Sequence, residues 1–73
     1  MAIEVKTDMT GSVWKVLVQV GDVIAPDQDV VILESMKMEI PVIASEGGRV
    51  REILVKEADV VQEGDTIIIL DPA

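Results

Sequence analysis

The stretch GSVWKVLVQVGDVIAPDQDVVILE (Gly11–Glu34) decides the fold, because the chain repeats its pattern in GRVREILVKEADVVQEGDTIIILD (Gly48–Asp71) without a gap. The two copies are identical at Val13/Val50, Leu17/Leu54, Val18/Val55, Asp22/Asp59, Val23/Val60, Ile32/Ile69 and Leu33/Leu70. Two copies are too few for a solenoid, which generally needs at least about three units to bury a continuous core. The repeat therefore predicts two β-units that pair about an approximate two-fold axis, each covering the other's apolar face.

Each copy consists of short segments with the pattern of β-strands. Apolar and polar residues alternate in Val13–Val18 and Val50–Val55, and apolar residues run continuously in Val30–Leu33 and Ile67–Leu70. Beta-branched side chains favour extended backbone, whereas the Gly, Pro and Asp residues between these segments are typical of turns. The sequence predicts an all-β domain with Ile3–Val5 as a further strand. We expect a flattened barrel or sandwich of two antiparallel sheets of roughly four strands each, with its core between the halves.

The composition excludes most enzyme chemistry. A chain of 73 residues has room for one domain, which we expect to span residues 1–73. It contains neither Cys nor His, so the thiolate nucleophile, the commonest general base and the commonest metal ligand are all missing. We therefore expect no catalytic residue and no metal site.

The charge of the chain indicates which partners it can have. A formal net charge of −8 argues against nucleic acid, because binding to a phosphate backbone depends on Lys and Arg. The same charge suits transient docking to a basic surface of a larger protein, although it also serves solubility. No window approaches the roughly 18 consecutive apolar residues of a membrane-spanning helix. A monomeric, cytoplasmic protein that binds neither nucleic acid nor membrane is expected.

The segment between the two copies places a lysine at a chain reversal. Glu34 closes the first copy and Ile40–Ile43 resumes an apolar strand, so Met36 and Lys37 must reverse the chain in a very short turn. Neither residue readily takes positive φ, which favours a type I turn or a slightly wider loop over type I′. Pro41 would then require an edge strand, because it cannot donate to a ladder. Lys37 is predicted to lie exposed at the tip of a tight hairpin.

The run Glu34–Glu39, Glu-Ser-Met-Lys-Met-Glu, resembles the attachment motif of biotinyl domains, the carrier modules of biotin-dependent carboxylases. In that family a Met-Lys-Met core preceded by Ala or Ser surrounds the lysine that becomes biotinylated. The resemblance covers nearly the whole chain. The family has turn residues at the positions of Gly11, Gly21–Asp22 and Glu63–Asp65. The stretch Gly11–Val16 is similar to the Gly-x-x-Trp-Lys-Val stretch of small free-standing biotin/lipoyl attachment proteins.

The chain departs from the family's pattern at several turns. Asp27 stands where many members have glycine, and Ala58 replaces the glycine that the first copy has at Gly21. The segment Asp8–Thr10 lacks a proline that is common there, and there is no inserted "thumb" between the early strands. These departures concern local turn geometry more than the modification itself.

The resemblance implies a division of labour in which the domain is a non-catalytic carrier. A biotin protein ligase would attach biotin to the ε-amine of Lys37, and the loaded domain would carry a carboxyl group from a biotin carboxylase to a carboxyltransferase. A lipoyl carrier of a 2-oxo acid dehydrogenase or glycine-cleavage system, or a dual acceptor, would use the same fold and lysine. Its usual Asp-Lys-Ala motif differs, so Met36 and Met38 favour biotin. An unmodified interaction module and an enzyme are the remaining alternatives.

The residues beside the lysine are candidates for recognition by the ligase and the carboxylase. Met36 and Met38 would offer soft thioether contacts to a partner's active site, or would pack onto the domain or beside the biotin. Glu34, Ser35 and Glu39 would either be recognised or simply keep the hairpin solvated.

Two further positions are interpreted through the repeat. The counterpart of Trp14 is Arg51, so we expect Trp14 to face outward at least in part and to serve docking, or else to pack over neighbouring side-chain stems. Asp22 and Asp59, at matching turns, are expected to accept local backbone hydrogen bonds.

Overall fold

The computed structural model describes residues 2–72, which form eight β-strands and no helix. The strands are β1 (Ile3–Lys6), β2 (Gly11–Val16), β3 (Val23–Ile24), β4 (Asp29–Ser35), β5 (Met38–Ile43), β6 (Gly48–Ile53), β7 (Val60–Val61) and β8 (Thr66–Pro72). The strand expected at Ile3–Val5 is confirmed as β1. Within residues 2–72, no helix is long and apolar enough to cross a membrane.

The strands form two antiparallel four-stranded sheets, as the repeat predicts. One sheet has the order β1-β8-β6-β3, and the other has the order β5-β4-β2-β7. Strands β2 to β4 belong to the first copy of the repeat and β6 to β8 to the second, so each sheet is shared between the copies. The two halves are therefore interleaved, and neither half forms one layer of the sandwich by itself.

Reciprocal hydrogen bonds between the copies confirm the approximate two-fold axis. The N–H of Val13 donates to the carbonyl oxygen of Asp59 at 2.7 Å, and the N–H of Val50 donates to the carbonyl oxygen of Asp22 at 2.8 Å. Each bond is the image of the other when the copies are exchanged. The two halves thus fix each other's turns, and neither half has its full set of backbone partners alone.

The core lies between the sheets and is drawn from both copies. Its largest fully buried apolar side chains are Val13, Ile24, Val30, Val31, Leu33, Val50, Ile67, Ile68 and Leu70. Each such side chain contributes about 1.5–3 kcal/mol by leaving water. The core is shared by both copies, as the repeat predicts, but it lies between two sheets that each contain strands of both copies, and not between two separate halves.

The turns and edges follow the sequence expectations at three positions. The carboxylate of Asp22 accepts a hydrogen bond from the N–H of Gln19 at 2.8 Å, and that of Asp59 accepts one from the N–H of Lys56 at 3.0 Å. Pro41 lies in β5, an edge strand, where no donor is required of it.

Candidate functional site

The hairpin between β4 and β5 reverses the chain in two residues. Ser35 pairs with Met38 and Glu34 pairs with Glu39, which leaves Met36 and Lys37 as the whole loop. The φ angle is +53° at Met36 and +65° at Lys37. Positive φ at both central residues defines the type I′ family of turns, so the expected type I turn or wider loop is wrong.

The physical reason for this error is that the strand pairing overrides the local preference. A two-residue hairpin matches the right-handed twist of its strands only with a mirror-image turn. The antiparallel pairing of β4 with β5 therefore imposes left-handed backbone on Met36 and Lys37, at a cost of roughly 1–2 kcal/mol for each residue. The buried residues of the two strands supply the stability that offsets this cost.

The side chain of Lys37 is free to carry a covalent group. It is exposed at the tip of the hairpin, and within residues 2–72 it forms neither a side-chain hydrogen bond nor an ion pair. Its amine can therefore be acylated without breaking any contact that holds the fold. The exposed hairpin tip that the sequence predicts for Lys37 is observed, and this arrangement fits an amide-linked prosthetic group.

The two methionines on either side of Lys37 do not pack alike. Met36 is 92% exposed and Met38 is 63% exposed. Packing onto the domain, the alternative interpretation of these side chains, therefore does not hold for Met36. Exposed thioethers are adaptable contact groups for a partner surface.

The three polar candidates lie directly below the turn. Glu34 and Glu39 face each other across β4 and β5, so two carboxylates of like charge form one cross-strand pair. Such a pair is locally destabilising. Ser35 is half-buried and pairs with Met38. The structure places all three residues beside Lys37, and their role in recognition stays a prediction.

Gly11 supports the hairpin from the neighbouring strand, in a way that the sequence pattern did not reveal. It begins β2, so the turn position that the family resemblance implies for Gly11 is wrong. A Cβ atom at Gly11 would lie 2.9 Å from the carbonyl oxygen of Glu34 and 3.5 Å from the Cβ of Ser35. Only glycine allows β2 to approach β4 this closely beneath the lysine. The signal available in the sequence was the matching Gly48, whose Cβ would meet the carbonyl oxygen of Asp71.

Trp14 faces outward beside the hairpin strands. It lies where the register between β2 and β4 shifts, and such an irregularity changes the direction of a side chain. The Trp14 side chain is 42% exposed, in agreement with the outward orientation predicted from its counterpart Arg51. The Lys15 Nζ lies 5.3 Å from the centroid of its ring. A shallow groove of about 340 Å³ runs past Trp14 and is lined also by Ser12, Glu34 and Glu57.

The equivalent position in the second copy is built differently. There Arg51 forms an exposed ion pair with Asp71, the counterpart of Glu34, at 3.8 Å. An aromatic ring thus occupies the end of the molecule that carries Lys37, and an arginine occupies the equivalent place at the opposite end. Within residues 2–72 no group of three or more Asp and Glu side chains is arranged to hold a metal ion.

Comparison with known proteins supports this description. A family model described as "Biotin-requiring enzyme" matches residues 3–70. The biotin/lipoyl attachment protein of Bacillus subtilis (strain 168) is 52% identical over 64 residues, which cover 88% of each chain. The dihydrolipoyllysine-residue acetyltransferase component of the pyruvate dehydrogenase complex of Azotobacter vinelandii is 43% identical over 63 residues, 86% of this chain and 10% of that protein.

A solved structure shows the same fold within a much larger protein. The urea carboxylase of Kluyveromyces lactis superimposes with a TM-score of 0.90 and 35% sequence identity. The match covers 97% of this chain and 6% of that protein. The fold is therefore one that a carboxylase contains as a small part of its chain.

Proposed function

The chain belongs to the biotin/lipoyl attachment family, and we propose that it is a biotin carboxyl carrier in which Lys37 is the residue that receives biotin. The observation that carries this proposal is the position of Lys37, exposed on a two-residue turn between Met36 and Met38. No other lysine of the chain stands in such a motif. When bound, biotin would supply a ureido nitrogen that accepts and releases a carboxyl group.

The residues around Lys37 would hold the attachment point in a fixed place. The pairing of β4 with β5 and the close approach at Gly11 set the position of the hairpin relative to the core. A flexible arm on a rigid base gives each partner enzyme one defined feature to bind. It also raises the local concentration of the carried group at each active site that the arm can reach.

The partners follow from the proposed carrier role. A biotin protein ligase would acylate the Lys37 amine, a biotin carboxylase would load the carboxyl group, and a carboxyltransferase would remove it. Met36, Met38, Glu34, Ser35 and Glu39 would contact these enzymes, and Trp14 would extend the contact along β2. The carrier itself would catalyse nothing and would act as a cytoplasmic monomer. The similarity to a urea carboxylase supports a carboxylase as the larger assembly.

A lipoyl carrier is the second candidate function. It is favoured by the acetyltransferase relative, whose name includes dihydrolipoyllysine, and by the biotin/lipoyl name of the Bacillus subtilis relative. Against it stands the Met-Lys-Met sequence, which resembles the biotinyl motif. Either group would form an amide with the same amine, so geometry alone does not choose between them.

Intact mass after co-expression tests both candidates. The chain is produced with a biotin protein ligase and biotin, and separately with a lipoate ligase and lipoate, and each product is weighed. We expect complete addition of one biotinyl group in the first case and little or no lipoyl group in the second. Efficient lipoylation with poor biotinylation would establish the second candidate, and no addition in either case would contradict both.

A further inference from the structure

We propose that Met36 is a reversible oxidation site and that its sulfoxide slows the loading of Lys37. This inference rests on the proposed function, because loading is the activity that it regulates. It concerns the one side chain of the hairpin that is apolar, oxidisable and almost fully exposed.

The three methionines among residues 2–72 differ in their access to a soluble oxidant. Met36 is 92% exposed and Met38 is 63% exposed, whereas Met9 is half-buried and packs against the core. Oxidation of thioethers follows exposure. The order of reaction is therefore Met36 first, Met38 second and Met9 last.

Oxidation at Met36 leaves the fold intact. Its side chain contributes almost no buried area, so converting the thioether to a sulfoxide removes no packing. The backbone of the turn is fixed by strand pairing on both sides, and no hydrogen bond in residues 2–72 uses the sulfur. A sulfoxide at Met9 would differ, because it would place a polar oxygen against the core.

The chemistry is a two-electron oxidation by a peroxide. The sulfur of Met36 attacks one oxygen of hydrogen peroxide, the O–O bond breaks, an S=O bond forms and water leaves. The sulfur loses two electrons and the peroxide gains them. A methionine sulfoxide reductase reverses the step: two thiols are oxidised to a disulfide, the sulfoxide is reduced to the thioether, and its oxygen leaves as water.

The consequence falls on the adjacent lysine. A ligase that acylates the Lys37 amine must approach within contact distance of the neighbouring side chain, and Met36 offers it a soft apolar surface. The sulfoxide is polar and carries a strong hydrogen-bond acceptor. The ligase surface that contacts the thioether would bury this acceptor without a hydrogen-bond donor. Loading therefore slows while the fold persists.

The experiment oxidises the unloaded chain with hydrogen peroxide, removes the excess with catalase and then measures ligase-catalysed biotinylation. Peptide mapping by mass spectrometry gives the sulfoxide content at each methionine. We expect Met36 to be oxidised first. The rate of biotinylation should fall about tenfold when Met36 has been converted to the sulfoxide. Treatment with methionine sulfoxide reductase should restore the rate.

Matched variants assign the effect to one residue. Met36→Leu, Met38→Leu and Met9→Leu are each compared with their own untreated samples, so that any change in basal loading cancels. Met36→Leu should lose most of the sensitivity to peroxide, whereas Met38→Leu and Met9→Leu should keep most of it. Equal sensitivity in Met36→Leu would overturn the inference, as would a far-ultraviolet circular dichroism spectrum showing that the oxidised wild type has unfolded.

The outcomes separate this inference from the proposed function. If untreated wild type is loaded with neither biotin nor lipoate, the proposed function fails. If it is loaded, and the Met36 sulfoxide is loaded at the same rate, only the oxidation switch fails.

Discussion

Ala58 occupies, in the second copy of the repeat, the left-handed turn position that Gly21 occupies in the first. The φ angle is +97° at Gly21 and +77° at Ala58. Their N–H groups donate to equivalent partners, the carbonyl oxygens of Val50 and Val13, both at 2.8 Å. The fold thus holds alanine in a conformation that glycine adopts without strain.

Ala58→Gly should therefore raise the free energy of unfolding by about 1 kcal/mol. Gly21→Ala is the matched control and should lower it by a similar amount. A Cβ at Gly21 meets nothing within 4 Å, so its effect reports the backbone alone. Urea denaturation followed by tryptophan fluorescence gives both values. Destabilisation by Ala58→Gly would show that the turn is not under strain.

Gly11→Ala and Gly48→Ala should both destabilise the domain, by about 1–3 kcal/mol, because the new methyl group meets a backbone carbonyl of the next strand. Gly48 is buried, and a Cβ there would approach the carbonyl oxygen of Asp71 more closely than a Cβ at Gly11 approaches that of Glu34. Gly48→Ala should therefore lose more stability than Gly11→Ala. The measurement is the free energy of unfolding of both variants in urea. Losses below about 0.5 kcal/mol in both variants would refute the close approach of the strands.

Met36→Gly should stabilise the domain by about 1 kcal/mol, because glycine takes the positive φ of the turn without a steric penalty. Met38→Gly, two residues later and inside β5, should destabilise it by about 0.5–1 kcal/mol. Opposite signs for the two variants in urea denaturation would support the type I′ turn. A loss of stability in Met36→Gly would speak for the type I turn instead.

Glu39→Lys should stabilise the hairpin by about 0.2–1 kcal/mol, because it replaces the repulsion between Glu34 and Glu39 by an attractive cross-strand pair. The gain should shrink in 1 M NaCl, since salt screens exposed charges. Glu46→Lys makes the same change of charge outside the hairpin and controls for the net charge of the chain. An equal gain in Glu46→Lys would mean that the pair itself contributes nothing.

The sequence predicted the features that depend on patterns longer than one turn. The repeat of Gly11–Glu34 indicated the two-fold symmetry, the two sheets and a core shared by the halves, because burial requires matched apolar faces. The same repeat placed Trp14 outward, since its counterpart is Arg51. The position of Lys37 at a hairpin tip followed from the two strands on either side of it.

Features that depend on how the strands meet were beyond the sequence. Local preference argued against positive φ at Met36, but the twist of the paired strands imposed it. The resemblance implies a turn at Gly11, whereas the residue is constrained by the carbonyl group of Glu34, which lies in another strand and far along the chain. The interleaving of the halves likewise depends on which strands pair with each other, and the pattern of apolar and polar residues does not specify the partners.

Biotinylation of Lys37→Ala shows whether Lys37 is the attachment residue. The variant and the matched Lys56→Ala, another exposed lysine, are co-expressed with a biotin protein ligase, weighed intact and unfolded in urea. We predict no biotin on Lys37→Ala and one biotin on Lys56→Ala. The free energy of unfolding of Lys37→Ala should lie within about 0.5 kcal/mol of the wild-type value. Biotin on Lys37→Ala, or failure of that variant to fold, would show that Lys37 is not a projecting attachment residue.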